Sequence, residues 1–113
     1  MHEVGIMQSI LALAEEQART AGAAEIHAIR LRIGRLAGVV RESLEFAFEA
    51  LRPGTPAERA SLAIEEVPAS YWCAACRKEF EVAEWIAECP DCGGLPARLI
   101  HGREMELVEL EIS

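Results

Sequence analysis

Two pairs of cysteines constrain this chain more than any other feature. The segment YWCAACRKEFEVAEWIAECPDCGG (71–94) holds Cys73 and Cys76 in one C-x-x-C pair and Cys89 and Cys92 in a second, twelve residues further on. Two residues between thiolates let a tight turn aim both sulfurs at one ion. Two such turns complete a tetrahedral site, which suits zinc at about 2.3 Å per bond. In the second pair Pro90 sets the turn, and Gly93 permits the backbone a left-handed step. The spacing therefore reads as a structural zinc site, with a rubredoxin-like iron site as the alternative. A thioredoxin-like redox pair fits poorly, because neither C-x-x-C clearly follows a strand and opens a helix. A closed four-thiolate site has no open coordination position, so its ion folds the segment instead of doing chemistry.

Around this segment the pattern is that of an ordinary small domain. The 113 residues suffice for one domain with a small appendage, and half of them are apolar. Residues 6–21 repeat apolar positions at helical spacing (Met7, Ile10, Leu11, Ala14, Ala18, Ala21), and Gly22 is placed to stop the helix. In EIHAIRLRIG, Ile29, Leu31 and Ile33 alternate with Arg30 and Arg32, which predicts a strand with one buried face. VRESLEFAFEALRPG returns to helical period, with Val40, Leu44, Ala47, Phe48 and Leu51 on one face and an Arg41–Glu45 pair outside. Pro53-Gly54 ends it. SLAIEEV (61–67) and EMELVELEI (104–112) complete a set of three strands. The second of these slips phase at Leu107-Val108, as a bulge or a doubly buried strand would.

The fold class expected is α+β: two helices packed on a three-stranded mixed sheet, with an inserted four-cysteine zinc ribbon. Residues 1–67 plus 98–113 would form the helix-and-sheet domain, and 68–97 the ribbon.

A net charge of −8 excludes several partners. Such a field repels phosphate backbones, and the ribbon is itself acidic, with Glu79, Glu81, Glu84, Glu88 and Asp91 against Arg77 and Lys78. No nucleic acid is expected; a basic protein surface or a cation suits the charge better. No apolar run is long enough for a membrane span, and the N-terminus lacks the basic and apolar regions of a signal peptide. The expected address is cytoplasmic, where four cysteines read as metal ligands before they read as disulfides.

The opening Met1-His2-Glu3 offers a second metal chemistry. The Met1 amine, the His2 backbone nitrogen and one imidazole nitrogen can bind a single ion as fused chelate rings. The amide must lose its proton, which Ni(II) or Cu(II) can induce and zinc seldom does. Glu3 could add a carboxylate, hydrogen-bond the imidazole, or simply complement the helix dipole. A solvated terminus is the alternative for His2. His27, on the apolar side of its strand, reads as a packed core-edge residue, and His101 as part of a turn beside Gly102. No glycine-rich phosphate loop, Ser/His/Asp set or carboxylate pair suggests catalysis, so no enzyme is expected.

The opening MHE, the Gln-Ser-Ile that follows and the late C-x-x-C pairs together resemble the HypA/HybF family of hydrogenase nickel-incorporation proteins. The resemblance extends through RIGRLAGVVRESLEFAFEAL and GTPAERASLAIEEVPASYWC, and so covers essentially the whole chain. It implies a nickel metallochaperone that delivers Ni(II) as cargo during maturation of [NiFe] hydrogenase. His2 would be the nickel ligand with Met1 and Glu3 in support, and Cys73, Cys76, Cys89 and Cys92 would hold structural Zn(II). Its implied partners are a HypB-like GTPase and the hydrogenase large subunit; it leaves a homodimer open. One departure stands out: Val4-Gly5 replaces the family's usual Leu-Ser, and the serine lost is a candidate helix cap worth about 1 kcal/mol against alanine but only a few tenths against glycine. A zinc-ribbon interaction module without nickel delivery is the alternative, with a metal-dependent hydrolase behind it for want of a second ligand cluster.

Overall fold

The first helix reaches further back than its apolar stripe requires. In the computed structural model, which describes residues 2–82, 88–96 and 98–113, α1 runs His2–Thr20. It starts four residues before the stripe that predicts it. Glu3 in its first turn suits the positive end of the helix dipole. Gly5 therefore lies inside the helix, not at a cap, and a Cβ there would meet nothing within 4 Å. At the other end Gly22 takes φ 75°. The amide of Ala23 then donates to the Ala18 carbonyl at 2.8 Å and that of Gly22 to Arg19 at 3.0 Å. This paired closure satisfies carbonyls that would otherwise be orphaned.

β1 (Ile26–Gly34) alternates as expected, with Ile29, Leu31 and Ile33 buried. His27 is a correction: it lies on the exposed side, and its Nε2 is 2.7 Å from Ser113 Oγ. Strict alternation would set His27 with Ile29, Leu31 and Ile33, but the burial slips phase at the start of the strand, where Ile26 is buried in its place. α2 (Arg41–Leu51) buries Leu44, Ala47 and Phe48. Val40, expected on that face, is instead its exposed N-cap, and Leu51 is half-buried.

β2 (Ser61–Val67), β1 and β6 (Met105–Ile112) form one sheet in the order β2-β1-β6. Its bonds show that it is mixed. Glu25 and Ser113 exchange backbone hydrogen bonds while Gly34 donates to Glu104, the signature of an antiparallel pair. Ile26 donates to Pro56 and Arg35 to Val67, so residue number rises together along β1 and β2. Outward-facing Arg30 meets Glu109 at 3.5 Å and Arg32 meets Glu65 at 3.4 Å. The inward face carries the apolar set and packs under the helices.

β3 (Ala69–Cys73), β4 (Lys78–Val82) and β5 (Arg98–His101) form a second sheet, order β4-β3-β5. β3 pairs antiparallel with β4, from Ala69–Val82 to Cys73–Lys78, and with β5 through a register shift at Ser70/Tyr71. None of these three strands is expected from periodicity, because cysteines and charges interrupt so short an alternation.

The chain divides into two compact units. One comprises residues 1–32, 39–65 and 106–113; the other comprises 33–38 and 66–105. The second is larger than the 68–97 insert, for two local reasons. Pairing with β3 draws in 98–101, and the turn after β1 is tied to 102–104 by Leu36 N–H donating to the Gly102 carbonyl at 2.7 Å. That tie needs Gly34, since a Cβ there would lie 2.0 Å from the Gly102 carbonyl oxygen.

Candidate metal centre

The second sheet delivers the first cysteine pair. Cys73 ends β3, the turn carries Cys76, and Lys78 opens β4 in register with Cys73. Arg77, the residue after the pair, is held at φ 54°; Gly93, the residue after the second pair, is at φ 70°. The two knuckles thus share one left-handed step, which Gly93 makes easily and Arg77 makes under strain. In the first knuckle the Cys76 amide donates to Cys73 Sγ at 3.4 Å; in the second the Gly94 amide donates to Cys92 Sγ at 3.4 Å. Cys89 and Gly93–Gly94 close the second turn with backbone bonds of 2.8 and 3.0 Å. Lys78 forms an ion pair with Asp91, joining the knuckles through their side chains.

The four sulfurs converge. Cys73 Sγ lies 3.6 Å from Cys92 Sγ and Cys76 Sγ 3.8 Å from Cys89 Sγ, and all four lie within 4.8 Å of one another. A regular tetrahedron of zinc–sulfur bonds near 2.3 Å has edges of about 3.8 Å, so the donor set and its spacing fit zinc. Two of the sulfurs come from buried residues, Cys73 (1% exposed) and Cys89 (2%), and two from the outer side. Hydrogen bonds that the protonated Cys76 thiol shares with the sulfurs of Cys92, Cys89 and Cys73 push it up to about 12. The backbone bond from Cys92 holds Cys89 below its ordinary value. Thiols this close resist ionising together, and a dication at their centre is what lets all four carry charge.

At the other candidate site the structure brings His2 and Glu3 together; Met1 lies outside the described residues. Glu3 is only 7% exposed, and its Oε2 lies 3.0 Å from His2 Nε2. The same oxygen accepts a long 3.5 Å bond from the Val40 amide. Val40 caps α2 but has no side-chain acceptor, so a carboxylate from α1 stands at the N-terminus of α2 in place of a local cap. The Val40 amide is the contact that pattern reading misses. Its only trace in the sequence is a helix start without Ser, Thr, Asp or Asn. His27 and His101 join neither site: His101 Nδ1 pairs with Glu104 at 2.9 Å.

A family model described as "Hydrogenase/urease nickel incorporation, metallochaperone, hypA" matches residues 1–112. The chain belongs to the HypA family. Among its HypA relatives, the "Hydrogenase maturation factor HypA" of Chloroflexus aggregans is 46% identical over 98% of both chains. That of Picosynechococcus sp. is 44% identical over 99% of both. The solution structure of the Ni metallochaperone HypA from Helicobacter pylori superposes with a TM-score of 0.66 at 25% identity, covering 97% of this chain and 96% of that one. A second HypA solution structure gives 0.72 at 28% identity, covering 100% and 97%. The architecture of two helices, a mixed three-stranded sheet and a four-cysteine metal group is thus that of HypA structures, and the cysteine group is consistent with structural zinc. No helix among the described residues is long and apolar enough to cross a membrane.

Proposed function

We propose that the chain binds Ni(II) at its N-terminus and delivers it during maturation of [NiFe] hydrogenase, while zinc held by Cys73, Cys76, Cys89 and Cys92 folds the second unit. Nickel is assigned to the Met1 amine, the His2 amide nitrogen and the His2 imidazole. The observation that carries this is the contact between His2 Nε2 and Glu3. Nδ1 is the ring nitrogen that closes a small chelate ring with its own backbone amide, and Nε2 is the one turned to the carboxylate. A carboxylate on the far nitrogen of a ligating imidazole orients the ring and raises its basicity. Glu3 acts in support, and its burial fixes the geometry. Deprotonating an amide in the first turn of a helix breaks no bond of the helical ladder. Nickel displaces protons from these nitrogens, so affinity falls as pH is lowered.

The role is binding and hand-over in the cytoplasm, with no covalent turnover. The HypA resemblance alone implies a HypB-like GTPase and the hydrogenase large subunit as partners, and the acidic charge disfavours nucleic acid. Calorimetric titration tests the assignment: His2→Ala should abolish nickel binding at unchanged zinc content. Glu3→Gln should weaken it by about 10–100-fold. A His2→Ala protein that binds nickel as the native one does would remove the site.

A further inference from the structure

β6 is the end strand of its sheet, so one edge of it presents backbone N–H and C=O groups that no strand of that sheet, among the described residues, takes up. Beside it runs a groove of about 460 Å³, lined by Leu13 and Ala21 of α1 and by Leu107, Val108, Leu110 and Ile112 of β6. Residues 107 to 110 all border it. Side chains of consecutive strand residues point to opposite faces, so one groove touches all of them only along the strand's edge. Leu13 and Val108 are each 43% exposed there. Acidic residues lie along the same strand: Glu106, Glu109 and Glu111, all exposed, of which Glu109 reaches Arg30.

We propose that this edge is a docking site for an extended segment of a partner protein in which apolar residues alternate with lysine or arginine. Such a segment adds a fourth strand to the sheet. Its backbone completes the β6 ladder, its apolar side chains fill the groove against Leu13 and Leu110, and its cations, on the opposite face, meet Glu109 and Glu111. Charge selects this occupant over a second copy of the chain. Antiparallel self-pairing centred on Glu109 sets the two Glu109 side chains opposite each other, a like-charge pair across the join, between two molecules each of net charge −8. Glutamates on an open edge also serve merely to keep strands apart, and that reading makes the opposite prediction: no strand docks.

The test uses the full zinc-loaded chain and a blocked peptide of ten residues alternating valine and lysine, with the valine–glutamate peptide as control. Amide NMR shifts should move along β6 and the groove face of α1 on titration with the lysine peptide to about 1 mM, and not with the control. Leu13→Asp, at an exposed helix position, should weaken binding by at least about tenfold. The double variant Glu109→Lys/Glu111→Lys should reverse the preference between the two peptides. Nickel binding plays no part in the assay. The proposal is overturned if no shift occurs along β6, if Leu13→Asp and the charge reversal leave the peptide's affinity unchanged, or if β6 is occupied by a dimer that the peptide does not displace.

Discussion

In the unit containing α1, α2 and most of the β2-β1-β6 sheet, Met7, Ile26, Leu31 and Leu44 are wholly removed from solvent, and Ile29 and Phe48 nearly so. In the unit containing the second sheet, the buried cluster is Cys73, Phe80 and Cys89, with Tyr71, Cys76 and Val82 packed against it. One unit is held by aliphatic side chains drawn from helices and strands; the other places cysteines where a core would be. A segment this small cannot bury enough apolar surface to order itself, and a metal supplies the difference. The contrast also separates roles: the four-cysteine group belongs to the unit whose buried cluster, among the described residues, is built around cysteines, and the transferred ion is assigned to the end of a helix that an aliphatic core already anchors.

The largest expected effect comes from removing the metal. A structural zinc contributes about 10–16 kcal/mol of apparent binding free energy. Cys73→Ala, or a strong chelator, should therefore strip zinc and abolish hydrogen-exchange protection over 69–82, while α1 and α2 stay protected. The converse change, Leu44→Ala, should lower the thermal midpoint of the helical unit by the equivalent of about 2–5 kcal/mol and leave zinc content unchanged. Equal loss of protection in both units from either variant would show that they do not differ in the way described.

Smaller effects sharpen the second unit. Burial raises the Glu104 carboxyl, but the amides of Glu104 and Gly102 and the His101 imidazole outweigh it, and its value falls below the ordinary one. A depressed carboxylate stabilises the fold fully above its unfolded value and ceases to do so as pH falls through its folded value. The native chain should thus lose this contribution only in acid, below about pH 4.5. Glu104→Ala should be less stable near neutral pH by about 1–2 kcal/mol, and the two proteins should converge on acidification. Denaturant midpoints across that range check it. Least of all, Arg77→Gly should stabilise the first knuckle by about 0.5–1 kcal/mol by relieving its left-handed strain. Zinc competition against a chelator reads that difference.

The sequence was most legible where burial has a period. Ile29, Leu31 and Ile33 at alternate positions, and Leu44, Ala47 and Phe48 at helical ones, announce the sheet and α2 directly. Cysteine spacing announced the metal group, because two residues between thiolates have few other uses. The strands around it were hidden: in ASYWC and KEFEV the alternation is too short to count, and pairing with distant Arg98–His101 leaves no local mark. Periodicity alone misplaces two residues. The burial of β1 slips phase between Ile26 and Ile29, which leaves His27 outside, and Val40 stands one position before α2 begins.

The central claim is that nickel and zinc occupy separate sites with no shared ligand, and that the nickel site requires the terminal amine. Nickel calorimetry on zinc-loaded protein, with and without one extra residue before Met1, addresses it most directly when both metals are then counted in each sample. The account predicts one zinc in both proteins and at least about a hundredfold loss of nickel affinity in the extended one, since the amine leaves the chelate. Undiminished nickel affinity in the extended protein, or zinc lost along with nickel, would contradict it.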